Sequence, residues 1–161
     1  MMEDNEKRST PFMRPTPVDR FINRFFGFLV RMGFGLPHNF MLEVRGRKSG
    51  RIYSTPVNVL EYKGAKYLVA PRGYTQWVRN VVANQSASLV KGSRRDEVAL
   101  TAIADNEKPE ILKAYLDRYK RTVQRYFPIP AGSPLTDFEP LVDRYPVFEI
   151  TAKNEDKGRV S

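Results

Sequence analysis

Hydrophobic residues recur along this chain with two spacings, one typical of helices and one typical of strands. Near the N-terminus, Thr16-Pro17-Val18-Asp19 predicts a helix start: a threonine cap, proline in the first helical position and an acid in the first turn. The predicted helix runs to about Met32. Its wide apolar stripe consists of Val18, Phe21, Ile22, Phe25, Phe26, Phe28, Leu29 and Met32.

Two locations are open for this predicted helix, which also carries Arg20, Arg24 and Arg31 at the edge of its stripe. Most amphipathic helices pack on their own domain, and we favour that reading. A basic, phenylalanine-rich helix near a terminus can also lie on an anionic membrane surface. Weak, salt-sensitive association with the inner face of the cell membrane is therefore a second expectation.

Short strands follow the first helix, each bounded by a turn signal. We predict strands over 40–45, 52–61, 66–70, 88–91, 96–104 and 147–151. Two helices are predicted over 76–83 and from a cap at Asn106 to about Arg125. A proline-rich loop, 128–134, leads to a further short helix. This order of elements predicts an α+β domain built on a small, partly open barrel.

Composition limits the chemistry that the chain can perform. With 161 residues, 41% hydrophobic and 28% charged, it is expected to form one globular domain. No secretion signal or membrane span is evident, so we expect a cytoplasmic protein. The absence of cysteine excludes disulfides and thiolate chemistry, and a single histidine, His38, together with the lack of an acidic cluster, predicts no metal site. A redox enzyme of this composition would take its reactive group from an organic cofactor.

The net charge of +9 indicates anionic partners. Nucleic acid, an anionic membrane and an anionic cofactor all meet that condition. Binding of single-stranded nucleic acid would favour aromatic residues interleaved with cations, and only Tyr53 stands near the most basic turn. We therefore expect no nucleic-acid partner, and the sequence does not indicate an oligomeric state.

The densest cationic segment is the turn within LEVRGRKSGRIYSTPVN, residues 42–58. Gly46 and Gly50 bracket Arg47, Lys48 and Ser49, and Arg51 follows. Glycine lets the backbone bend closely around a ligand, while the cations neutralise and hydrogen-bond anionic groups. This composition suits a cofactor that carries a phosphate or carboxylate, although an ordinary solvated basic hairpin remains an alternative. The spacing differs from that of the nucleotide-binding P-loop.

Four motifs recur in this order in one known family. They are the Gly46–Gly50 run, Thr55-Pro56, Ala70-Pro71-Arg72-Gly73 and Trp77-Val78-Arg79-Asn80. The chain thus resembles the deazaflavin (F420)-dependent nitroreductase and quinone reductase family over residues 18–152. The resemblance implies an α+β split β-barrel, similar to FMN-binding proteins, with an N-terminal helix and flanking helices. We expect one cofactor-binding domain at 17–152 and tails at 1–16 and 153–161, the first of them disordered because it is polar and contains Pro11 and Pro15.

The resemblance also implies which residues bind coenzyme F420. Arg47, Lys48 and Ser49 match positions that grip the phosphate and the acidic tail, and a second group matches the strand, loop and helix start around the deazaflavin ring. That second group is Tyr53, Ser54, Thr55, Pro56, Val57, Asn58, Val69, Ala70, Pro71, Arg72, Gln76, Trp77, Val78, Arg79 and Asn80.

Structural roles are the alternative for several of these positions. Trp77 could be a core anchor, Asn80 a local hydrogen-bonding residue and Thr55-Pro56 a feature of a strand edge. Family tyrosines line the substrate opening, and the matching residues here are Tyr115, Tyr119 and Tyr126. Their structural alternative is half-buried packing on an amphipathic helix.

The function implied is hydride transfer from reduced F420 to a small hydrophobic quinone, enone or nitro acceptor. No residue is assigned a catalytic role. The alternative is a non-catalytic barrel that binds FMN, haem or a lipid. Nitro-reducing relatives usually carry Ser-Lys where this chain has Pro71-Arg72, and tyrosine where it has Val78. The resemblance therefore predicts weak nitro reduction and favours quinones or enones.

Overall fold

The computed structural model of the protein describes residues 37–153. Within this range six strands and two α-helices are formed, with bounds β1 Asn39–Arg45, β2 Ile52–Tyr62, β3 Ala65–Val69, α1 Gln76–Asn84, β4 Ser86–Lys91, β5 Arg94–Ala102, α2 Lys108–Val123 and β6 Val147–Ala152. Short 3₁₀ helices span Asp105–Glu107, Gln124–Tyr126 and Leu135–Arg144. The predicted N-terminal helix, the first predicted tail and all but residue 153 of the second tail lie outside these residues.

The six strands form a closed antiparallel barrel in the order β1-β2-β3-β6-β5-β4. Closure depends on β1, which pairs with β2 on one side and with β4 on the other: Leu42 lies opposite both Thr55 and Leu89. The α+β barrel prediction is thereby confirmed. The expectation of a partly open barrel was wrong, because the strand ladder returns to its first member.

The barrel interior is filled by every second residue of its strands, as the pleat requires. Residues on β1, β4 and the other strands alternate between this interior and the outside. Helix α1 closes one region of the interior with Val78 and Val81, both fully buried. The interior core consists of Leu42, Val44, Val59, Leu68, Ala70, Val78, Val81, Ala87, Leu89, Val98, Leu100, Phe148 and Ile150.

A second core lies outside the barrel, beneath α2 and the 3₁₀ segment 135–144. It joins the outward side chains of Leu60, Val69 and Val147 to the apolar face of α2. Phe138, from the 3₁₀ segment, is fully buried within it. The sheet is therefore packed on both faces here, which fixes α2 against β2 and β3.

Two local predictions need correction. Asn106 does not cap a helix, because Asp105–Glu107 forms a 3₁₀ turn and α2 begins at Lys108, with Pro109 in its first turn, where a missing N–H costs little. The segment after the proline-rich loop is a 3₁₀ helix with Pro140 inside it rather than an α-helix. Strand bounds elsewhere differ from the predicted ones by one or two residues.

Among residues 37–153, no helix is long and apolar enough to cross a membrane.

Leu112 tests the contribution of the second core, since it is fully buried on α2. Replacement by alanine removes apolar contact and leaves a cavity, so Leu112→Ala should lower the free energy of unfolding by about 2–5 kcal/mol. Val82→Ala is the control, because Val82 is 58% exposed. We expect the control to change stability by less than about 0.5 kcal/mol in denaturant unfolding. Equal losses would contradict this packing.

Candidate functional site

The basic turn between β1 and β2 is closed by its own backbone. The Gly46 N–H donates to the Arg51 carbonyl at 2.6 Å, and the Gly50 N–H donates to the Gly46 carbonyl at 3.0 Å. Gly50 has φ 71°, a left-handed conformation that favours glycine. The side chain of Arg45 adds a hydrogen bond from Nη1 to the Gly50 carbonyl at 2.9 Å. The turn thus has one defined shape before any ligand is considered.

Gly46 is needed for a different reason, because neighbouring side chains lie very close to its Cα. A Cβ at this position would lie 2.6 Å from Cε2 of Tyr53 and 2.8 Å from Oγ of Ser49. Those two side chains are within hydrogen-bonding distance of each other, with Oγ and the phenol oxygen 3.2 Å apart. Oγ of Ser49 also accepts from the Arg51 N–H at 3.2 Å. The missing Cβ therefore makes room for two residues predicted to bind the cofactor.

Helix α1 presents a polar stripe on which the turn docks. Asn80, only 4% exposed, accepts through Oδ1 from the Arg47 N–H at 3.2 Å and from Nη1 of Arg47 at 2.9 Å. The same Nη1 donates to Oε1 of Gln76 at 3.1 Å. Asn84 donates through Nδ2 to the Arg45 carbonyl at 2.7 Å. Gln76, Asn80 and Asn84 stand four residues apart, the spacing of one helix face.

This docking changes the role predicted for Arg47. Its Nη1 is engaged with α1, so the side chain positions the turn in addition to supplying charge. Asn84 and Arg45 were missed by the sequence reasoning. The i, i+4, i+8 spacing of Gln76, Asn80 and Asn84 was the signal that could have revealed the stripe.

Other cations around the turn face solvent. Lys48, Arg51 and Arg79 are exposed, and no side-chain hydrogen bond or ion pair is formed by them with residues 37–153. Large apolar side chains are exposed in the same elements: Ile52 and Tyr53 on β2, Tyr74 just before α1, and Val82 on α1. The surface therefore combines cations with apolar contact area, which suits a ligand with an anionic part and an aromatic part.

The strand predicted to lie beneath the cofactor has a partner on one side only. Residues 52–58 of β2 pair with β1, whereas β3 pairs only with residues 59–62. Pro56 lies in this one-sided part, where its missing N–H leaves at most one ladder bond unmade. Ser54 and Tyr53 are exposed there, while Val57 packs on the interior core. Within the described chain, the second edge of this segment has no strand neighbour.

The loop before α1 bends at Gly73, with φ 79°, and ends at Thr75, the N-cap residue of α1. Thr75 makes no side-chain cap, and its Oγ1 is buried without a hydrogen-bond partner among the residues described. A buried hydroxyl without a partner is costly, so such an atom beside a helix N-terminus marks a place where a ligand group would be stabilised. Sequence reasoning did not include Thr75.

Several residues that were predicted to lie around the deazaflavin ring have side chains that pack in the two cores. Ala70 and Val78 belong to the barrel interior, and Val69 belongs to the outer core. Trp77 is partly buried and packs on the interior core, with its ring 6.1 Å from that of Phe148. Any contact of Val69, Ala70 or Val78 with a cofactor would be made by backbone atoms. The structural alternative for Trp77, a core anchor, fits its packing.

Two of the three predicted substrate tyrosines are buried. Tyr115 is hydrogen-bonded to Asn58, and the Tyr119 hydroxyl donates to the Val59 carbonyl at 2.9 Å, so both attach α2 to the end of the predicted cofactor strand. Burial raises the pKa of Tyr115 well above its usual range and also raises the pKa of Tyr119. Both side chains belong to the outer core beneath α2. Tyr126 is partly exposed, and its hydroxyl accepts from Nη2 of Arg125 at 2.7 Å.

His38 packs against Tyr119, with the ring centroids 4.5 Å apart and the ring planes tilted by 37°. Partial burial, and then the charges of Arg118 and Lys91, lower the pKa of His38. The ring is therefore held neutral near pH 7.

Residues 37–153 contain no cluster of three or more His, Asp or Glu side chains that could hold a metal ion.

The family can now be assigned. A family model described as F420H(2)-dependent quinone reductase matches residues 18–129. The chain belongs to this family. It is accordingly an F420-dependent reductase, with coenzyme F420 as the cofactor that the family implies. No curated protein matches the chain in sequence.

Solved structures with a similar fold are distant in sequence. A structure of an F420-H2 dependent reductase (FDR-A) is 19% identical, covering 71% of this chain and 95% of its own, with a TM-score of 0.49. A protein of unknown function from Agrobacterium tumefaciens str. C58 is 17% identical, covering 89% and 59%, with a TM-score of 0.52. A nimc/nima family protein from Clostridium acetobutylicum is 16% identical, covering 80% of each chain, with a TM-score of 0.50. At these identities the two likenesses with TM-scores of 0.52 and 0.50 concern the fold alone, and the predicted α+β split-barrel class is confirmed.

Protonation of His38 should weaken the fold. Because the pKa of His38 is lower in the folded chain than its ordinary 6.5, the unfolded chain takes up the proton first as pH falls. Stability should therefore decrease below about pH 6.5, and His38→Gln should lose less stability between pH 7 and 5 than the parent. The chain's one imidazole can be titrated directly by NMR. A midpoint above 6.5, or identical losses in both proteins, would contradict the placement.

Proposed function

We propose that the protein transfers a hydride from reduced F420 to a small hydrophobic quinone or enone, and that the Gly46–Gly50 turn binds the anionic part of the cofactor. The observation that carries this proposal is the docking of the turn on α1. Asn80 and Gln76 hold Arg47, while Lys48 remains exposed to solvent. A rigid turn with an exposed ammonium group is already organised to receive an anion, so binding costs little ordering.

The residues fit the chemical groups of F420, namely a phosphate, an acidic tail and an aromatic ring. Lys48, Arg51 and Arg79 are exposed cations around the turn and α1. Room for Ser49 and Tyr53 is secured by the missing Cβ of Gly46. The buried Oγ1 of Thr75 has no hydrogen-bond partner among the residues described and could donate to a polar group of the cofactor. Anionic, polar and aromatic parts of the cofactor therefore each have matching groups among these residues.

When bound, reduced deazaflavin supplies the hydride; the chain itself contributes binding, orientation and exclusion of water. Lys48 and the turn would orient the anionic end. Tyr115 and Tyr119 hold the middle of β2 through Asn58 and Val59. Because burial raises the pKa of both phenols, they stay neutral and keep these hydrogen bonds across the physiological pH range.

The preference for quinones or enones over nitro compounds is proposed from two positions. Pro71 supplies no hydroxyl where nitro-reducing relatives usually carry serine. Val78 is fully buried in the barrel interior, so its side chain fills core volume and offers nothing to a substrate. Both changes leave the turn and the α1 stripe intact.

We also propose that the activity is cytoplasmic and needs no nucleic-acid partner. The net charge of +9 supports an anionic cofactor and would add a salt-sensitive attraction to anionic membranes.

Charge reversal at Lys48 tests the cofactor placement. Lys48→Glu replaces an attraction to the anionic cofactor by a repulsion, and we expect F420 to bind more than about tenfold more weakly. Lys120→Glu, at an exposed position of α2, has the same net charge and should bind like the parent. Fluorescence titration with F420 provides the measurement, with FMN titrated in parallel. Equal affinity of Lys48→Glu and Lys120→Glu, or tighter binding of FMN, would contradict the proposal.

A panel of acceptors tests substrate choice. Oxidation of reduced F420 should be followed spectroscopically with quinones, cyclic enones and bicyclic nitroimidazoles at equal concentrations. We expect turnover with the first two classes and little with the third, because the ring-side hydroxyl is absent. Rapid nitro reduction without quinone or enone turnover would show that the acceptor class is wrong, even if F420 binds.

A further inference from the structure

Charge is distributed unevenly along α2. The 3₁₀ segment 135–144 lies beside the first turn of the helix, because Nζ of Lys108 donates to the Val142 carbonyl at 3.1 Å. Exposed carboxylates collect at this end: Asp105, Glu107, Glu110, Asp137, Glu139 and Asp143. Farther along the helix, Asp117 is paired with Lys113 at 3.0 Å, and residues 118–136 then include no acid. The exposed cations of that stretch are Arg118, Lys120, Arg121 and Arg125.

The proline-rich loop is fixed along the same basic end of α2. Gln124 donates through Nε2 to the Ile129 carbonyl at 2.8 Å and accepts through Oε1 from the Ala131 N–H at 2.8 Å. One helical turn earlier, Oδ1 of Asp117 accepts from the Gly132 N–H at 2.7 Å. The loop therefore runs back along the helix, and its hydrogen bonds to side chains of α2 and of the turn after it hold it there.

This course of the loop places apolar groups beside the cations. Pro128 and Pro130 are both exposed, on either side of the residue whose carbonyl Gln124 holds. Arg121 precedes Gln124 by about one helical turn, and Arg125 follows it directly; both are exposed. The α2 basic patch is defined by Lys120, Arg121, Arg125, Pro128 and Pro130.

Two classes of anionic partner could face such a patch. Single-stranded nucleic acid would need exposed aromatic rings for base stacking. The aromatic ring beside the patch, that of Tyr126, is only partly exposed and is covered by Arg125, whose Cζ lies 4.8 Å from the ring centroid. Cations next to small apolar groups instead suit a phospholipid surface, which offers phosphates and an apolar boundary beneath them. Charge and apolar content together favour a membrane.

We propose that the α2 basic patch docks the protein on the anionic surface of a lipid bilayer. The cations meet the headgroup phosphates, and the two prolines approach the boundary of the acyl chains. The carboxylates at the other end of α2 are repelled by the same surface, so the molecule docks in one orientation. The Tyr119 hydroxyl ties α2 to the Val59 carbonyl of β2, which gives the barrel that same orientation. The docking does not depend on the proposed cofactor.

Vesicle co-sedimentation of the full chain tests the contribution of the cations. Arg121→Glu/Arg125→Glu should bind mixed phosphatidylcholine–phosphatidylserine vesicles at least about tenfold more weakly than the parent at low salt, because each basic residue near the surface adds to the attraction. The matched control is Arg94→Glu/Lys153→Glu, which lowers the net charge equally at exposed positions on β5 and after β6. We expect the control to bind within about threefold of the parent, since the attraction acts over roughly one Debye length. Parent-like binding of Arg121→Glu/Arg125→Glu, or equal losses in both double variants, would overturn the proposal.

A fluorescent probe locates the contact while leaving the cations in place. Because the chain has no cysteine, Pro128→Cys provides a single thiol for an environment-sensitive fluorophore. Its emission should shift to the blue when the same vesicles are added, and high salt should reverse the shift. The control is Val82→Cys, exposed on α1, whose probe should be unaffected. The absence of a shift at residue 128, or a shift at residue 82 of equal or larger size, would contradict the docking.

Nucleic acid is tested with the same proteins. A single-stranded oligonucleotide should not change the emission of the probe at residue 128. If the oligonucleotide binds, Arg121→Glu/Arg125→Glu loses that binding and vesicles leave the probe unchanged, the patch is a nucleic-acid surface and the proposal is overturned.

Discussion

The amide of Asn80 is the contact on which the arrangement of the site depends. It is nearly buried, it lies on α1, and its oxygen accepts two hydrogen bonds from Arg47. One of these comes from a guanidinium group, and charge-assisted bonds of this kind are stronger than neutral ones. Without this acceptor the turn would lose both the backbone and the shortest side-chain hydrogen bond of Arg47 to α1, and only the contacts of Gln76 and Asn84 would connect it to that helix.

The same helix holds the barrel and the turn together. One face of α1 places Val78 and Val81 in the barrel interior, while the polar stripe receives the turn. A shift of α1 would therefore disturb interior packing and site geometry at once. Docking the turn on a core helix reduces its freedom, so any ligand that the turn receives would bind with little further ordering of the chain.

The sequence allowed the fold class and the order of elements to be predicted, because strand alternation and glycine turns are local signals. Gly46 and Gly50 were recognised as turn residues for that reason. The sequence could not show which cations of the turn hydrogen-bond to α1 and which remain exposed. Whether Arg47 or Lys48 is engaged depends on α1, some thirty residues away in sequence, and single-sequence patterns do not specify such tertiary contacts. Tyr115 and Tyr119 were placed at an opening, but their helical spacing equally suits the outer core in which they lie.

Closure of the barrel could not be predicted either, because it depends on the pairing of β1 with β4, which are separated by forty residues of chain. The start of α2 was predicted at the wrong residue. Asn106 was the predicted cap, whereas Pro109 favours a helix that begins at Lys108, because proline is tolerated in the first turn.

Among residues 37–153, the segment 52–58 has a strand neighbour on one side only, and this has a consequence for solubility. Unpaired strand edges can pair with strands of other molecules, and the exposed side chains of Ile52 and Tyr53 would favour such association at this edge. Pro56 interrupts the ladder that a visiting strand would need, and the cations of the adjoining turn repel a second copy of the same surface. The features that suit an anionic ligand therefore also act as gatekeepers against edge-to-edge aggregation.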